Sequence, residues 1–211
     1  MLEAIGLCCV REERVLFDNL SFTLNAGDIL QVAGPNGAGK TSLLRLLAGL
    51  SRPEQGEIHW QGQSINQISD SFHQHCLYLG HHVGVKAELS AVENLQFYLG
   101  LAGQSMSLGQ LYDLLARVGL AGLEDEPTAH LSAGQQRRVG LARLWLVERQ
   151  LWILDEPFTA IDKQGVTYLE AVLKRHAEAG GMILLTTHQT LNIDSAHYRV
   201  LNIEPAYEEI V

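Results

Sequence analysis

The sequence predicts an α/β fold in which helices cover both faces of a mainly parallel sheet. Short apolar segments alternate with helical ones, and a glycine-rich turn joins an early apolar segment to a helix. Two later apolar segments end in polar or acidic residues. Apolar strands that alternate with helices are typical of parallel sheets buried on both sides. A chain of 211 residues is long enough for one domain with a sizeable core.

The first predicted elements flank the glycine-rich turn. Residues 28–33 form a short apolar run that indicates a buried strand, and residues 40–50 place leucines on one helical face. A hairpin is predicted at residues 58–62. The later elements are a strand at 76–79, helices at 91–101, 108–118 and 132–149, strands at 151–154 and 182–187, a helix at 163–179 and a strand at 198–203.

Composition excludes several classes of protein. The net charge of −9 disfavours a protein that follows a nucleic-acid backbone, because such proteins usually carry a basic face. The three cysteines, with Cys8 and Cys9 adjacent, indicate reduced thiols, and strand alternation predicts one of that pair inside and one outside. No secretory leader and no apolar run of about 20 residues is found, so we expect a cytosolic protein or one held at a membrane by a partner.

The glycine-rich turn fits the phosphate-binding pattern G-x-x-x-x-G-K-[ST]. Its glycines allow successive amides to point inward at phosphate oxygens, and the following helix adds the positive end of its dipole. We expect Lys40 to reach the β- and γ-phosphates and Thr41 to give its hydroxyl to Mg²⁺. The predicted ATP-binding residues of this P-loop, with the next residue of the helix, are Gly34, Pro35, Asn36, Gly37, Ala38, Gly39, Lys40, Thr41 and Ser42.

An apolar strand at residues 151–154 ends in Asp155 and Glu156. A buried strand rarely ends in two carboxylates unless they meet a charge. Asp155 is predicted to hold Mg²⁺, directly or through water. Glu156 is predicted to act as the base, or as the residue that orients the attacking water.

A further helix opens with the predicted signature loop Leu131, Ser132, Ala133, Gly134 and Gln135. Ser132 and Gln135 have the spacing of a capping box, so an ordinary helix start is the alternative interpretation. The loop resembles the signature motif of ABC ATPases, with alanine in the third place, where glycine is usual. That resemblance implies that the loop contacts the γ-phosphate of a nucleotide held by a second subunit, which would make the dimer head-to-tail. Alanine should be tolerated if its φ is negative.

Two further segments follow in the order that this family shows. Residues Thr159, Ala160, Ile161 and Asp162 resemble the D-loop, which contacts the opposite subunit. His188 resembles the switch histidine that touches the γ-phosphate, and we group it with Glu156 and Lys40 as catalytic. The resemblance implies a P-loop NTPase (ABC ATPase) core with a mainly parallel sheet, an antiparallel N-terminal β subdomain and an inserted α-helical subdomain. The whole chain is then one ABC ATPase domain, with its core at 1–79 and 150–211 and its helical signature subdomain at 80–149.

Two positions depart from the family pattern. Where a glutamine usually touches Mg²⁺ and senses the membrane partner, this chain has His82, with His81 as the alternative. Where an aromatic residue usually stacks on adenine, the chain has Arg11 or Val10, and the guanidinium of Arg11 could stack on the base.

Residues 77–95, together with 34–50 and 158–162, resemble the ATP-binding subunits of cytochrome c maturation complexes, also called haem-exporter ATPases. This resemblance implies an ATPase at the cytoplasmic face of the bacterial inner membrane, with Mg²⁺, integral-membrane subunits, an ATP-driven homodimer and, indirectly, a haem chaperone. Haem export and release of the haem-loaded chaperone are both compatible with it, and no nucleic acid is expected. The alternatives are another small bacterial ABC transporter, a soluble ABC ATPase, and a nucleotide-binding scaffold without turnover.

Overall fold

The computed structural model describes residues 1–82, 84–193 and 197–204. It divides into two compact units. The first unit contains Met1–Tyr78, Arg149–Glu156 and Glu170–Val211, and the second contains Leu79–Glu148 and Pro157–Leu169. The subdomain boundaries inferred from sequence, at 79/80 and 149/150, stay a prediction.

The predicted N-terminal β subdomain is an antiparallel sheet of the first unit. Its strands are β1 (Leu2–Arg11), β2 (Arg14–Leu24), β4 (Gln55–Trp60) and β5 (Gln63–Ser64), in the order β2-β1-β4-β5. Strands β1 and β2 are joined by Glu12 and Glu13, whose φ values of 49° and 63° are those of a two-residue hairpin turn. The hairpin predicted at residues 58–62 is present as β4 and β5.

The prediction for the cysteine pair was wrong. Cys8 and Cys9 are both buried, because the pairing of β1 with β2 shifts register around them and the strict alternation of faces is lost. Burial raises the pKa of each thiol, and that of Cys76 reaches about 12. These three cysteines are free thiols.

The mainly parallel sheet predicted from the sequence is also in the first unit. Its strands are β3 (Ile29–Ala33), β6 (Cys76–Leu79), β7 (Leu151–Asp155), β8 (Met182–Thr186) and β9 (Tyr198–Asn202), in the order β6-β7-β8-β3-β9. Strand β3 runs parallel to β8 and β9, and β7 runs parallel to β8. Every residue of β7 and β8 is buried. The carboxyl ends of these parallel strands therefore meet at one edge of the sheet.

Helix α1 (Lys40–Leu47) packs its leucines into the core of the first unit. It ends before the predicted residue 50 because Gly49 adopts φ 70°. The amide of Leu50 then donates to the carbonyl of Arg45 and that of Gly49 to Leu46, the bonding of a Schellman motif. Helix α2 (Ser69–His75) was not predicted, since it buries only Phe72 and shows no helical stripe.

The second unit is helical, with its own apolar core. It holds α3 (Ala91–Leu101), α4 (Leu108–Arg117) and α5 (Ala133–Leu141), and the long helix α6 (Lys163–Glu178) begins in it. The helix predicted at 132–149 is shorter, because it tightens into a 3₁₀ turn at Ala142–Trp145. In the described residues no helix has the length and apolarity needed to cross a membrane.

Candidate nucleotide-binding site

The P-loop connects β3 to α1 in the first unit, and its glycines are there for definite steric reasons. Gly37 and Gly39 have φ values of 85° and 95°, which favour glycine. A Cβ on Gly34 would lie 2.5 Å from the carbonyl oxygen of Ile203, on the chain beside it. Backbone conformation therefore favours glycine at positions 37 and 39, and lack of space requires it at position 34.

The ammonium of Lys40 lies over the P-loop. Its Nζ donates to the carbonyl oxygens of Gly34, at 2.7 Å, and Pro35, at 3.0 Å. These contacts fix a positive charge beside the amino end of α1, where the helix dipole also favours an anion. The loop is thus suited to bind phosphate groups.

Strand β7 delivers Asp155 to the P-loop. The Thr41 hydroxyl donates to Oδ2 of Asp155 at 2.9 Å, and the Thr186 hydroxyl donates to Oδ1 at 2.7 Å. Asp155 is only 2% exposed, so these two bonds satisfy a carboxylate that water scarcely reaches. Residues 41, 155 and 186, far apart in sequence, form one cluster at the carboxyl edge of the sheet.

The donor set at this cluster fits Mg²⁺. A hydroxyl and a carboxylate are hard oxygen ligands, and Mg²⁺ usually takes one or two protein ligands and completes its shell with water and substrate phosphates. Thr41 and Asp155 offer such a pair directly beside the phosphate loop. Within the described ranges no group of three or more His, Cys, Asp or Glu residues could hold a metal ion.

Glu156 follows Asp155 with φ 50°, a left-handed conformation that is unusual for glutamate. Its amide donates to Oγ1 of Thr186 at 2.9 Å. Its Oε1 lies 3.5 Å from Nε2 of His188. The side chain of His188 is 63% exposed and that of Glu156 is 17% exposed, so the pair lies at the solvent boundary of the first unit. The structure therefore brings together the two residues predicted to act on the attacking water and the γ-phosphate.

Thr186 was not predicted from the sequence, although it bridges Asp155 and Glu156. A polar residue at the end of a buried strand, next to a strand that ends in two acids, was the signal available. Gln31 was not predicted either; its side-chain amide donates to the carbonyl of Thr187 at 3.4 Å, and its Oε1 accepts from the hydroxyl of Tyr198. These contacts support the backbone just ahead of His188.

Arg11 and Ser42 were also predicted to bind ATP. Arg11 is exposed at the tip of the β1–β2 hairpin, opposite Arg14. Ser42 lies beside the thiol of Cys9. Leu16 and Phe17 lie next to the P-loop, since a Cβ on Gly39 would be 3.0–3.1 Å from their side chains. The adenine contact of Arg11 stays a prediction.

The signature loop lies in the second unit, and its serine caps α5. The Ser132 hydroxyl accepts from the amide of Gln135 at 3.3 Å, and the Gln135 side chain accepts from the amide of Ser132 at 2.8 Å. Ala133 is the first residue of α5 and so has the negative φ that lets alanine replace glycine. A Cβ on Gly134 would lie 2.7 Å from the carbonyl oxygen of Ala160, so this glycine makes room for the D-loop.

The D-loop, residues 159–162, is fixed within the same unit. Ala160 has φ 60°, and Asp162 accepts from the amide of Gly165 at 2.8 Å and pairs with Arg138 at 2.6 Å. The Gly165 amide and the Arg138 guanidinium lower the pKa of Asp162. His82 is also in the second unit; its ring is exposed and lies 5.6 Å from that of His81, centroid to centroid. Its contact with Mg²⁺ stays a prediction.

A phosphate loop, a Thr–Asp pair at the end of a parallel strand, a Glu–His pair and a helix-capping signature loop together define a cassette-type ATPase. The profile of the ABC transporter family matches residues 17–159, more than half of the chain. The chain belongs to this family of ATP-hydrolysing proteins.

Two similar proteins from different bacteria carry the same name. The chain is 55% identical over 203 residues to the cytochrome c biogenesis ATP-binding export protein CcmA of Escherichia coli K12, covering 96% of each chain. It is 53% identical to the protein of that name in Vibrio cholerae, covering 96% of this chain and 98% of the other. Solved structures at lower identity share the fold. They include an ABC transporter ATP-binding protein from Pyrococcus furiosus (TM-score 0.81, 24% identity, 96% of each chain) and the ABC transporter cassette MJ0796 in its dimeric form (TM-score 0.80, 22% identity, 96% of this chain and 94% of that one).

Proposed function

We propose that this chain is the ATP-hydrolysing subunit of an inner-membrane ABC complex for cytochrome c biogenesis, acting at the cytoplasmic face. In that role it powers haem export or release of a haem-loaded chaperone. The observation that carries the ATPase activity is the hydrogen-bonded cluster that joins Thr41 of the P-loop to Asp155 and Thr186 at the sheet edge. The 55% identity to a cytochrome c biogenesis ATP-binding export protein supports the assignment to that process.

The geometry of the first unit supports the following roles. The P-loop amides and Lys40 bind the β- and γ-phosphates, and Thr41 and Asp155 would hold Mg²⁺, which would neutralise charge on the phosphate oxygens. Glu156 orients the attacking water and accepts its proton, and His188, 3.5 Å away, contacts the γ-phosphate. The products are ADP and phosphate.

The second unit supplies the signature loop for a second copy of the chain. The start of α5 is an amino end of a helix whose first amides are only partly satisfied by its capping box, and such an end favours an anion. In the proposed head-to-tail homodimer this anion is the γ-phosphate bound by the partner copy. The D-loop, held beside Gly134 through Ala160, lies at the same interface.

Two experiments test the proposal. The first is ATP hydrolysis by the purified full chain with and without Mg²⁺, with Lys40→Ala as the variant that removes the phosphate-binding cation. We expect hydrolysis to require Mg²⁺ and the variant to bind ATP at least ten-fold more weakly. Unchanged affinity in the variant would contradict the role of Lys40.

The second experiment addresses the partners. The tagged chain is purified from membranes in a mild detergent and its co-purifying proteins are identified. Recovery of small integral-membrane subunits and a haem chaperone supports the proposal. Recovery of a different membrane permease favours another small bacterial ABC transporter, and recovery of ribosomes favours a soluble ABC ATPase.

A further inference from the structure

We infer that Arg137 is a positioning residue that links the signature helix to the segment carrying His82. Residues 80–82 follow β6 directly and are called the sensor segment. Arg137 lies on α5, two turns or less from the signature loop that begins this helix. The inference rests on the proposed function, because that function gives the sensor segment its membrane partner and the signature loop its nucleotide.

The side chain of Arg137 is buried. It is 6% exposed, and it is the only buried lysine or arginine in the part of the chain that the structure describes. Burial of a cation costs several kcal/mol unless hydrogen bonds compensate for lost water. A guanidinium buried on this helix therefore requires hydrogen-bond acceptors close to it.

The partner is the backbone of the sensor segment. Nη1 of Arg137 donates to the carbonyl oxygen of His81 at 3.0 Å and to that of Gly80 at 3.4 Å. Both carbonyls precede His82, while the side chains of His81 and His82 remain exposed. Both bonds come from one nitrogen of the guanidinium fork, Nη1, whose two hydrogens lie in the plane of the group, so the orientation of that plane sets the direction of both peptide groups.

Residues 84 and 86 are held by a different helix, α3. The hydroxyl of Tyr98 on α3 donates to the carbonyl of Gly84 at 2.5 Å, and Asn94 on the same helix donates to the carbonyl of Lys86 at 3.0 Å. The guanidinium of Arg143 lies 3.8 Å from the ring centroid of Tyr98. Helix α3 therefore fixes residues 84–86, while Arg137 fixes residues 80 and 81 from the signature helix.

This arrangement has a direct mechanical consequence. When the start of α5 engages the nucleotide of the partner copy, a displacement of the helix moves the guanidinium, and the two carbonyls must follow it or lose their bonds. The exposed rings of His81 and His82 then change position relative to residues 84–86. Arg137 thus conveys the state of the signature loop to the surface that the membrane subunit is proposed to contact.

The main test compares three variants in the full chain, alone and assembled with its membrane subunits. Arg137→Met removes the donors but keeps the length, Arg137→Lys keeps the charge but not the fork, and Arg117→Met removes an exposed arginine of α4 as a matched control. The readout is the ratio of ATPase rate in the complex to the rate of the chain alone, with KM for ATP measured in both. We expect the ratio to fall at least five-fold in Arg137→Met, to fall less in Arg137→Lys, and to stay unchanged in Arg117→Met, with KM of the isolated chain constant.

An unchanged ratio in Arg137→Met overturns the inference, and so does an equal loss of rate in the isolated chain and in the complex, since a merely structural role predicts that result. If Arg137→Met does not fold, Arg137→Lys decides in the same way.

A second measurement separates this inference from the proposed function. Amide hydrogen exchange of residues 80–82 is followed in the isolated chain with the Glu156→Gln substitution, with and without ATP. We expect ATP to change the protection of these amides only when Arg137 is present. If no membrane subunit stimulates the chain, the proposed function fails, but the exchange result still supports or overturns the link through Arg137.

Discussion

The P-loop cluster of the first unit and the signature loop of the second unit are built in opposite ways. In the first unit, residues 41, 155 and 186 come from three separate elements and meet through hydrogen bonds of 2.7–2.9 Å. In the second unit, the hydrogen bonds described for the signature-loop side chains are local, since Ser132 and Gln135, three residues apart, bond to each other's backbone amides. The P-loop cluster therefore depends on the packing of a whole sheet, whereas the signature loop depends on one helix start.

This difference predicts different responses to substitution. A change in the first unit should alter both stability and chemistry, because the buried Asp155 loses partners that it cannot replace with water. A change in the signature loop should cost little stability and act mainly on the encounter of two copies. Four substitutions or conditions, taken from the largest expected effect to the smallest, test this contrast.

The largest effect is expected for Glu156→Gln. Loss of the general base should lower kcat by about 10²-fold or more, because positioned bases usually contribute between 10²- and 10⁴-fold. ATP binding should persist and trap the dimer, which size-exclusion chromatography with ATP detects. Glu178→Gln, an exposed acid of α6, is the matched control and should keep full activity. A Glu156→Gln protein that remains monomeric at saturating ATP contradicts the composite site.

Thr186→Val should affect stability and rate together. It removes the donor to Asp155 and the acceptor of the Glu156 amide, which should lower the free energy of unfolding by about 2 kcal/mol and kcat by about ten-fold. Urea unfolding and steady-state kinetics measure the two effects. Thr186→Ser retains the hydroxyl and should restore most of both. Equal behaviour of the Val and Ser variants would show that the methyl group, not the hydroxyl, matters at this strand end.

Acid should weaken the first unit through His176. Its ring stacks on Trp152 at 3.6 Å between centroids, and burial lowers its pKa from 6.5 to about 4. The unfolded chain then binds the proton more readily, so the free energy of unfolding should fall as the pH drops from about 6.5 towards 4 and level off below that. Allowing for partial exposure, we expect a loss of about 1–2 kcal/mol.

The check is urea unfolding at pH 7.5 and 5, followed by tryptophan fluorescence. His176→Phe keeps the stack on Trp152 and removes the titrating group, so its stability should change less between the two pH values. A variant with the same pH dependence as the parent chain would assign the loss to other groups.

The smallest effect on stability is expected for Ser132→Ala. Loss of an N-cap typically costs about 1 kcal/mol. Ser107→Ala is a close control, because Ser107 caps α4 with the same reciprocal bonds to Gln110 but lies outside the signature loop. Both variants should lose similar stability by urea unfolding, and only Ser132→Ala should weaken ATP-dependent dimerisation. If Ser107→Ala weakens ATP-dependent dimerisation equally, Ser132 acts only as a helix cap.

The sequence predicted most of this architecture, and its failures have physical causes. The parallel strands and the helices with apolar stripes were predicted because burial imposes a pattern on their residues. Helix α2 was missed because it buries one side chain, and the faces of Cys8 and Cys9 were wrong because a register shift interrupts alternation. Thr186 and Arg137 were missed for another reason. Their importance comes from partners 31 and 56–57 residues away, which no local pattern encodes.

The left-handed backbone of Glu156 has a consequence for attempts to make this protein more heat-resistant. A φ of 50° is adopted more readily by glycine or asparagine than by glutamate, so either replacement should raise the melting temperature slightly. Each would also delete the carboxylate beside His188. Selection for thermal endurance alone should therefore remove the glutamate early, and selection for turnover should restore it. At this one residue, thermal stability and the rate of ATP turnover favour different side chains.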